Sequence, residues 1–177
     1  VVVDNNSTDD SLHQININYP RIKTIKNNVN LGYAGGNNVG ISYALSMNAT
    51  HILVLNNDTL LHPSCIENLL NACENSPGTI AVAPKSLWYS RPDTIYFAGG
   101  RVDSMCNPFH VGLNQLDGIN YNNEETTDWI TGCALFVARE GFERIGGFDE
   151  DYFLLYEDID WCVRATGLGY KLSLIHI

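Results

Sequence analysis

Four polar clusters hold most of the side chains in this chain that can do chemistry. Asp4 stands with Asn5, Asn6, Ser7 and Asp9. A carboxylate there can accept hydrogen bonds from a base N–H or a ribose hydroxyl, although the same residue types also favour ordinary turns for local reasons. Asn30-Leu31-Gly32-Tyr33-Ala34-Gly35-Gly36-Asn37-Asn38 joins glycines, which allow close backbone approach, to an expected helix start. Free N–H groups and the positive dipole end at such a start suit phosphate. The glycine spacing is neither a Walker loop nor a GxGxxG fingerprint, and a flexible connector with an Asn cap has the same composition. Asn56-Asn57-Asp58 is the sharpest of the first three. Mg²⁺ or Mn²⁺ takes one or two carboxylates plus phosphate oxygens and water, so Asp58, aided by the Asn56 carbonyl, is a candidate ligand for a metal that bridges a diphosphate. Such a metal reverses the local sign and lets an acidic protein bind an anion. An Asx turn before Pro63 is the alternative. The fourth cluster is Asp149-Glu150-Asp151 followed by Glu157-Asp158-Ile159-Asp160. An EF-hand fails, because Phe153 and Leu154 stand where a polar ligand and glycine are required. Either Glu157 and Asp158 stabilise a helix dipole, or a carboxylate crowded by acids and by Tyr152, Phe153, Tyr156 and Trp161 has a raised pKa and takes a hydroxyl proton as a general base.

The first three clusters sit where apolar segments end or a helix begins. Val1–Val3 reads as a short buried strand, 21–26 (RIKTIK) as an edge strand, 51–55 (HILVL) and 79–83 as buried strands. Val39, Tyr43, Ala44 and Met47 form the stripe of an amphipathic helix. A second helix follows Pro63, with Cys65, Ile66, Leu69, Leu70 and Cys73 inward and Pro77-Gly78 as its stop. Residues 1–83 therefore read β-β-α-β-α-β, and strands this apolar favour a mostly parallel sheet covered by helices. In such sheets ligands bind at the carboxyl ends of the strands. Farther on, the sequence suggests a hairpin around 94–102, a strand at 134–138, a helical turn at 140–145 closed by Gly146-Gly147, and a helix from about 158 to 166 with Ile159, Cys162 and Val163 inward.

The chain has 177 residues and a formal charge of −10, with 45% hydrophobic and 17% charged residues. That length fits one domain over residues 1–177, and the composition excludes a disordered chain. The acidic balance argues against a nucleic-acid partner, which requires a basic face. No apolar run approaches a membrane span, and no signal peptide is visible. Five widely spaced cysteines without a CxxC pair fit idle thiols in a reducing compartment. The five histidines lack metal spacing and read as surface or packing residues. A start at Val1-Val2-Val3 without Met and an apolar finish at 172–177 suggest a fragment of a longer protein, or a foreign tail at the last few residues.

In chain order, 4–9 (DNNSTD), 30–41 (NLGYAGGNNVGI), 55–58 (LNND), 128–134 (DWITGCA), 146–150 (GGFDE) and 156–164 (YEDIDWCVR) resemble the family 2 glycosyltransferases, nearest to bacterial rhamnosyltransferase-like enzymes of O-antigen and cell-wall synthesis. The resemblance implies an α/β GT-A fold and an inverting transfer from a nucleotide-diphosphate sugar to a glycan or lipid-linked acceptor, in the cytoplasm or at the inner face of the membrane. It implies that Asp4, Asn6, Asn30, Gly32, Asn37, Asn38 and Asn57 lie at the nucleotide, and that Asp58 and Asn56 hold a divalent cation. Asp158 becomes the catalytic base with Glu157 beside it, and Asp128, Trp129 and Gly132 line the acceptor side. Asn56 departs from the family's DxD pattern. The family also carries a strand and helices ahead of the position of Val1. Two rival readings are a nucleotidyltransferase and a non-catalytic sugar-nucleotide-binding module. The first calls for basic residues near the glycine-rich stretch, and residues 27–50 contain no Lys or Arg.

Overall fold

The computed structural model describes residues 1–175; His176 and Ile177, the end of the expected apolar run, lie outside the described residues. In chain order the elements are β1 (Val2–Asp4), α1 (Ser11–Asn18), β2 (Thr24–Lys26), α2 (Gly32–Ser46), β3 (His51–Leu55), α3 (Cys65–Asn75) and β4 (Thr79–Pro84). Then come β5 (Ser86–Trp88), β6 (Arg91–Phe97), β7 (Gly100–Val102), β8 (Pro108–His110), a 3₁₀ turn at Ile119–Tyr121, β9 (Glu125–Thr126), β10 (Ala134–Ala138), α4 (Arg139–Ile145), α5 (Glu157–Gly167) and β11 (Lys171–Ile175).

Five strands make the main sheet in the order β3-β10-β4-β11-β9. Strand β10 runs antiparallel to both β3 and β4, with Ala134 opposite Leu55 and Ala138 opposite His51. Strand β11 is parallel to β4 and antiparallel to β9. Strands β1 and β2 pair in parallel, Asp4 opposite Lys26. The α/β expectation holds, and the sheet is mixed rather than mostly parallel. A strand buried on both faces has the same apolar composition whichever way it runs, so its direction is not written in its own residues.

Side-chain alternation divides the core between the two faces of the sheet. Ile52 and Val54, Ala81 and Ala83, Leu135 and Val137, and Leu172 and Leu174 pack with Ile41, Phe142, Trp161 and Ala165 of helices α2, α4 and α5. Val82, Phe136 and Ile175 pack on the opposite face with Cys65, Leu69 and Cys73 of α3. Helices therefore cover both faces.

Four local expectations are corrected. Helix α1 lies between two strands where the β-β-α-β-α-β reading has no helix; it buries no residue, and it supplies the crossover that two parallel strands require. Helix α2 starts at Gly32, so the glycine-rich stretch is helical, and its buried positions are Gly32, Ala34, Gly35, Gly36 and Ile41 rather than Met47. The single hairpin at 94–102 is instead two, β5–β6 and β7–β8, joined through Gly99 at a positive φ of 105°. Ile66 and Val163 face out, because the buried rows follow the i, i+4 spacing of Cys65, Leu69 and Cys73 in one helix and of Trp161 and Ala165 in the other.

Candidate active site

At the tip of β1 the Asp4 side chain is buried. Its Oδ1 accepts the Ser7 N–H at 3.2 Å, while Oδ2 is buried without a protein donor. A buried carboxylate oxygen in that state is open to a donor from a ligand. Asn6, at a positive φ of 67°, turns the chain outward. Sequence reasoning gave no role to Asn5, which organises this corner. Its amide donates to the Gly32 carbonyl at 2.8 Å and to Asn30 Oδ1 at 2.9 Å, and its Oδ1 accepts from Leu31 N–H and Asn27. Gly36 makes room for it, since a Cβ there would lie 3.0 Å from Asn5 Nδ2. A hollow of about 280 Å³ opens here between Asn5, Asn30, Gly32, Tyr33, Phe153 and Leu154.

The open helix N-terminus expected for phosphate is closed. The N–H groups of Leu31, Gly32 and Tyr33 already reach Asn5 Oδ1, Asn30 Oδ1 and the Phe153 carbonyl. Asn37 bonds the Tyr33 carbonyl within its own helix. Asn38 holds both the N–H and the C=O of Phe148, at 2.9 and 2.8 Å, and also reaches Glu150. Asn38 therefore fastens α2 to the segment carrying Phe148 and Glu150, while the Asn37 amide is engaged within α2 itself.

Tyr33 joins α2 to the sheet. Burial, then the charges of Asp158 and Glu157, push its phenol pKa up, so the hydroxyl keeps its proton. It donates to the Gly132 carbonyl at 2.6 Å, and Asn56 Oδ1 lies 3.1 Å from the Tyr33 hydroxyl oxygen. The Asn56 carbonyl accepts the Thr59 hydroxyl at 2.7 Å. Asn56 thus helps to hold Tyr33 and Thr59 in place, and each of its two carbonyl oxygens accepts one protein hydrogen bond. Asn57 and Asp58 are exposed beyond it. Among the described residues no three His, Cys, Asp or Glu side chains converge on a metal position. Asp58 offers a carboxylate oxygen of the hard kind that Mg²⁺ or Mn²⁺ combines with phosphate and water.

Gly132 connects this corner to Asp158. Its N–H donates to Asp158 Oδ2 at 2.7 Å, and the Ile159 N–H donates to Oδ1 at 2.8 Å. Burial pushes the Asp158 pKa up, against the opposing pull of those N–H groups and of His110. Each carboxylate oxygen keeps a lone pair for a further proton donor. Glu157 is buried with Oε2 unpartnered, and burial followed by the Asp158 charge raises its pKa. Leu155 and Tyr156 precede it at positive φ of 75° and 72°. Left-handed backbone costs a non-glycine residue about 1–2 kcal/mol, and this strain sits where the two acids are aimed. Trp161 Nε1 and Arg164 anchor α5 by donating to the carbonyls of Gly146, Ile145 and Gly147.

On the expected acceptor side the placement is divided. Gly132 lies at the site, where a Cβ would come within 2.8 Å of the Tyr33 hydroxyl. Asp128 caps the β7 hairpin through Val102 N–H and pairs with Arg101. Trp129 is buried, with its indole N–H on the Arg101 carbonyl, so it presents no open face. His110, read as packing, stacks edge-on against Trp129, Phe97 and Tyr96. Nothing in its sequence neighbourhood signals that it belongs near Asp158.

Residues 1–138 match Glycosyl transferase family 2. An N-acetylglucosaminyl-diphospho-decaprenol L-rhamnosyltransferase of Mycobacterium tuberculosis is 26% identical over 96% of this chain and 61% of its own length. The low-salt glycan biosynthesis hexosyltransferase Agl10 of Haloferax volcanii is 31% identical over 93% and 52%. The dTDP-rhamnosyl transferase RfbF of Shigella flexneri is 26% identical over 99% and 56%. The chain thus spans between half and two thirds of the length of these curated relatives. A crystal structure of GalNAc-T7 with UDP, GalNAc and Mn²⁺ superposes with a TM-score of 0.71 over 98% of this chain and 35% of that one, at 14% identity, so the two share the GT-A fold. With residues 1 to 138 of 177 matched and the same architecture in a solved glycosyltransferase, the chain belongs to glycosyl transferase family 2.

Proposed function

We propose that this chain is the catalytic domain of an inverting glycosyltransferase that moves a sugar, rhamnose first among the candidates, from a nucleotide-diphosphate donor to a hydroxyl of a glycan or lipid-linked acceptor. The observation that carries the reading is Asp158: a half-buried carboxylate with raised pKa, held by two backbone N–H groups and still able to accept a proton. Rhamnose is favoured because the Mycobacterium and Shigella relatives are named as rhamnosyl transferases.

In this reading the nucleoside lies at the β1 tip, where the open Asp4 Oδ2 and the Asn5–Asn30 corner take its hydroxyls and N–H groups. Asp58 would hold a divalent cation together with the diphosphate, and such a cation, when bound, offsets charge on the leaving group. Asp158 accepts the acceptor's hydroxyl proton as that oxygen bonds to the anomeric carbon. The bond from that carbon to the diphosphate oxygen breaks, and its electron pair departs with the diphosphate. A single displacement inverts the configuration. No helix among the described residues is long and apolar enough to cross a membrane. A lipid-linked acceptor would bring the chain to the inner face of the membrane.

The test is a donor panel of dTDP-rhamnose, UDP-sugars and GDP-sugars, with and without Mn²⁺, following release of the nucleotide diphosphate in the presence of acceptor. Acceptor-dependent release from one donor is expected. Donor binding without release from any of them would favour a binding module instead.

A further inference from the structure

A second, larger cleft of about 810 Å³ has Asp58 in its lining and shares no residue with the hollow at the β1 tip. One wall is the loop after β3, with Leu60 and Leu61. The other is the β5–β6 hairpin, with Trp88, Tyr89 and Tyr96. Lys85, buried and paired with Asp117 at 2.7 Å, lies between them. Cys133 also lines the cleft, and the next residue back, Gly132, holds Asp158. Asp58 stands in the cleft wall, and Asp158 is linked to it through Gly132, the neighbour of the lining residue Cys133. Tyr96 fits that position: burial and then the charges of Cys133, Asp158 and Asp58 push its phenol pKa up.

The aromatic wall is fixed in advance. Trp88 and Tyr96 meet edge to face at 4.8 Å. The Trp88 indole N–H donates to Asn114 at 3.1 Å, the Arg91 guanidinium lies over the ring at 5.7 Å, and His110 supports Tyr96 from behind at 5.3 Å. Rigid aromatic faces beside short hydrogen-bonding groups suit a pyranose, whose C–H face packs on a ring while its hydroxyls find Asp58, Thr59, Ser86 or Lys85. A hydrocarbon chain would cover those charged and polar groups without pairing them, which is costly. A nucleoside already has its own hollow at the β1 tip.

We propose that this cleft binds the acceptor's reacting end as a saccharide ring, with Trp88 and Tyr96 as its stacking platform and Tyr89 at its rim. The proposal rests on the transferase reading for the identity of its ligand as acceptor, but binding can be measured without turnover. Of the three tryptophans, Trp129 and Trp161 are 4% and 0% exposed, so Trp88 is the one whose emission a ligand in this cleft can change. Methyl glycosides of rhamnose, galactose, glucose and N-acetylglucosamine are titrated against the full chain while tryptophan emission is followed, with farnesyl phosphate in a parallel arm. A saturable change with at least one glycoside is expected. It should be weakened about tenfold in Tyr89→Ala, which keeps the Trp88 reporter, with affinity for the nucleotide diphosphate unchanged. Tyr89 is 84% exposed, so its removal does not threaten folding. No response to any glycoside, glycoside affinity unchanged in Tyr89→Ala, or a response to farnesyl phosphate alone would overturn the proposal. Glycoside binding in a chain that transfers no sugar from any donor would sink the transferase reading and leave the saccharide site standing.

Discussion

Asp158 owes its character to burial set against two backbone donors, and burial prevails. Asp158→Asn should lower the transfer rate by about 100- to 10,000-fold and leave donor affinity nearly intact, as read by initial rates and calorimetric titration of the donor. Turnover retained in that variant would remove Asp158 from the chemistry. For the same reason the wild-type rate should climb with pH through an inflection above the ordinary aspartate range, because the ionised form is the active base. Asp58→Ala should weaken Mn²⁺-dependent donor binding, and unchanged affinity with Mn²⁺ present would count against its metal role. Glu157 permits a stability test. Its folded pKa is raised, so its contribution to stability is present below the unfolded value of about 4.3 and is lost as pH rises through the folded value. Glu157→Gln should therefore melt higher than wild type at pH 8 and nearly level with it at pH 4; equal shifts at both would mean that ionisation is not the cause. The acids themselves were legible in the sequence, since carboxylates beside aromatics and ahead of a helix announce themselves. Asn5 and His110 were not. Their importance comes from partners such as Gly32, 27 positions from Asn5, and Trp129, 19 positions from His110.

Helix α2 turns a glycine-rich stretch into a fastening for three other segments. Its first residues are held by Asn5, Tyr33 ties it to Gly132, and Asn38 ties it to Phe148. Gly132 is the narrowest of these junctions. Gly132→Ala would place a Cβ 2.8 Å from the Tyr33 hydroxyl and move the N–H that orients Asp158. A displacement near 1 Å can cost about 100-fold in rate, so kcat should fall by that order while donor KM changes little. An unchanged kcat would show that Asp158 is positioned by α5 alone. Composition misread α2 because glycine lowers intrinsic helix propensity. Packing against the β1 tip overrides that preference, since larger residues at 35, 36 and 40 would strike Leu31, Asn5 and Val3.

The whole molecule is a sheet with helices on both faces, and its stability depends on strands in the interior. Leu135 on β10 is fully buried in the larger core cluster. Leu135→Ala should cost about 2–5 kcal/mol in chemical denaturation; a cost under 1 kcal/mol would mean that the site collapses around the deletion. The amino-acid sequence by itself determined the α/β class, the principal buried strands, the ordered string of family motifs and the identity of the acids, because these are written in local composition and short spacing. The tertiary structure alone decided the direction of β10, the helical state of residues 32–38, the engagement of the helix terminus by Asn5 and Asn30, and the aromatic cleft that gathers Trp88 and Tyr96, with His110 packed against Tyr96. Each of these is a relation between residues far apart along the chain, and no local preference encodes which of the available partners a buried group will meet.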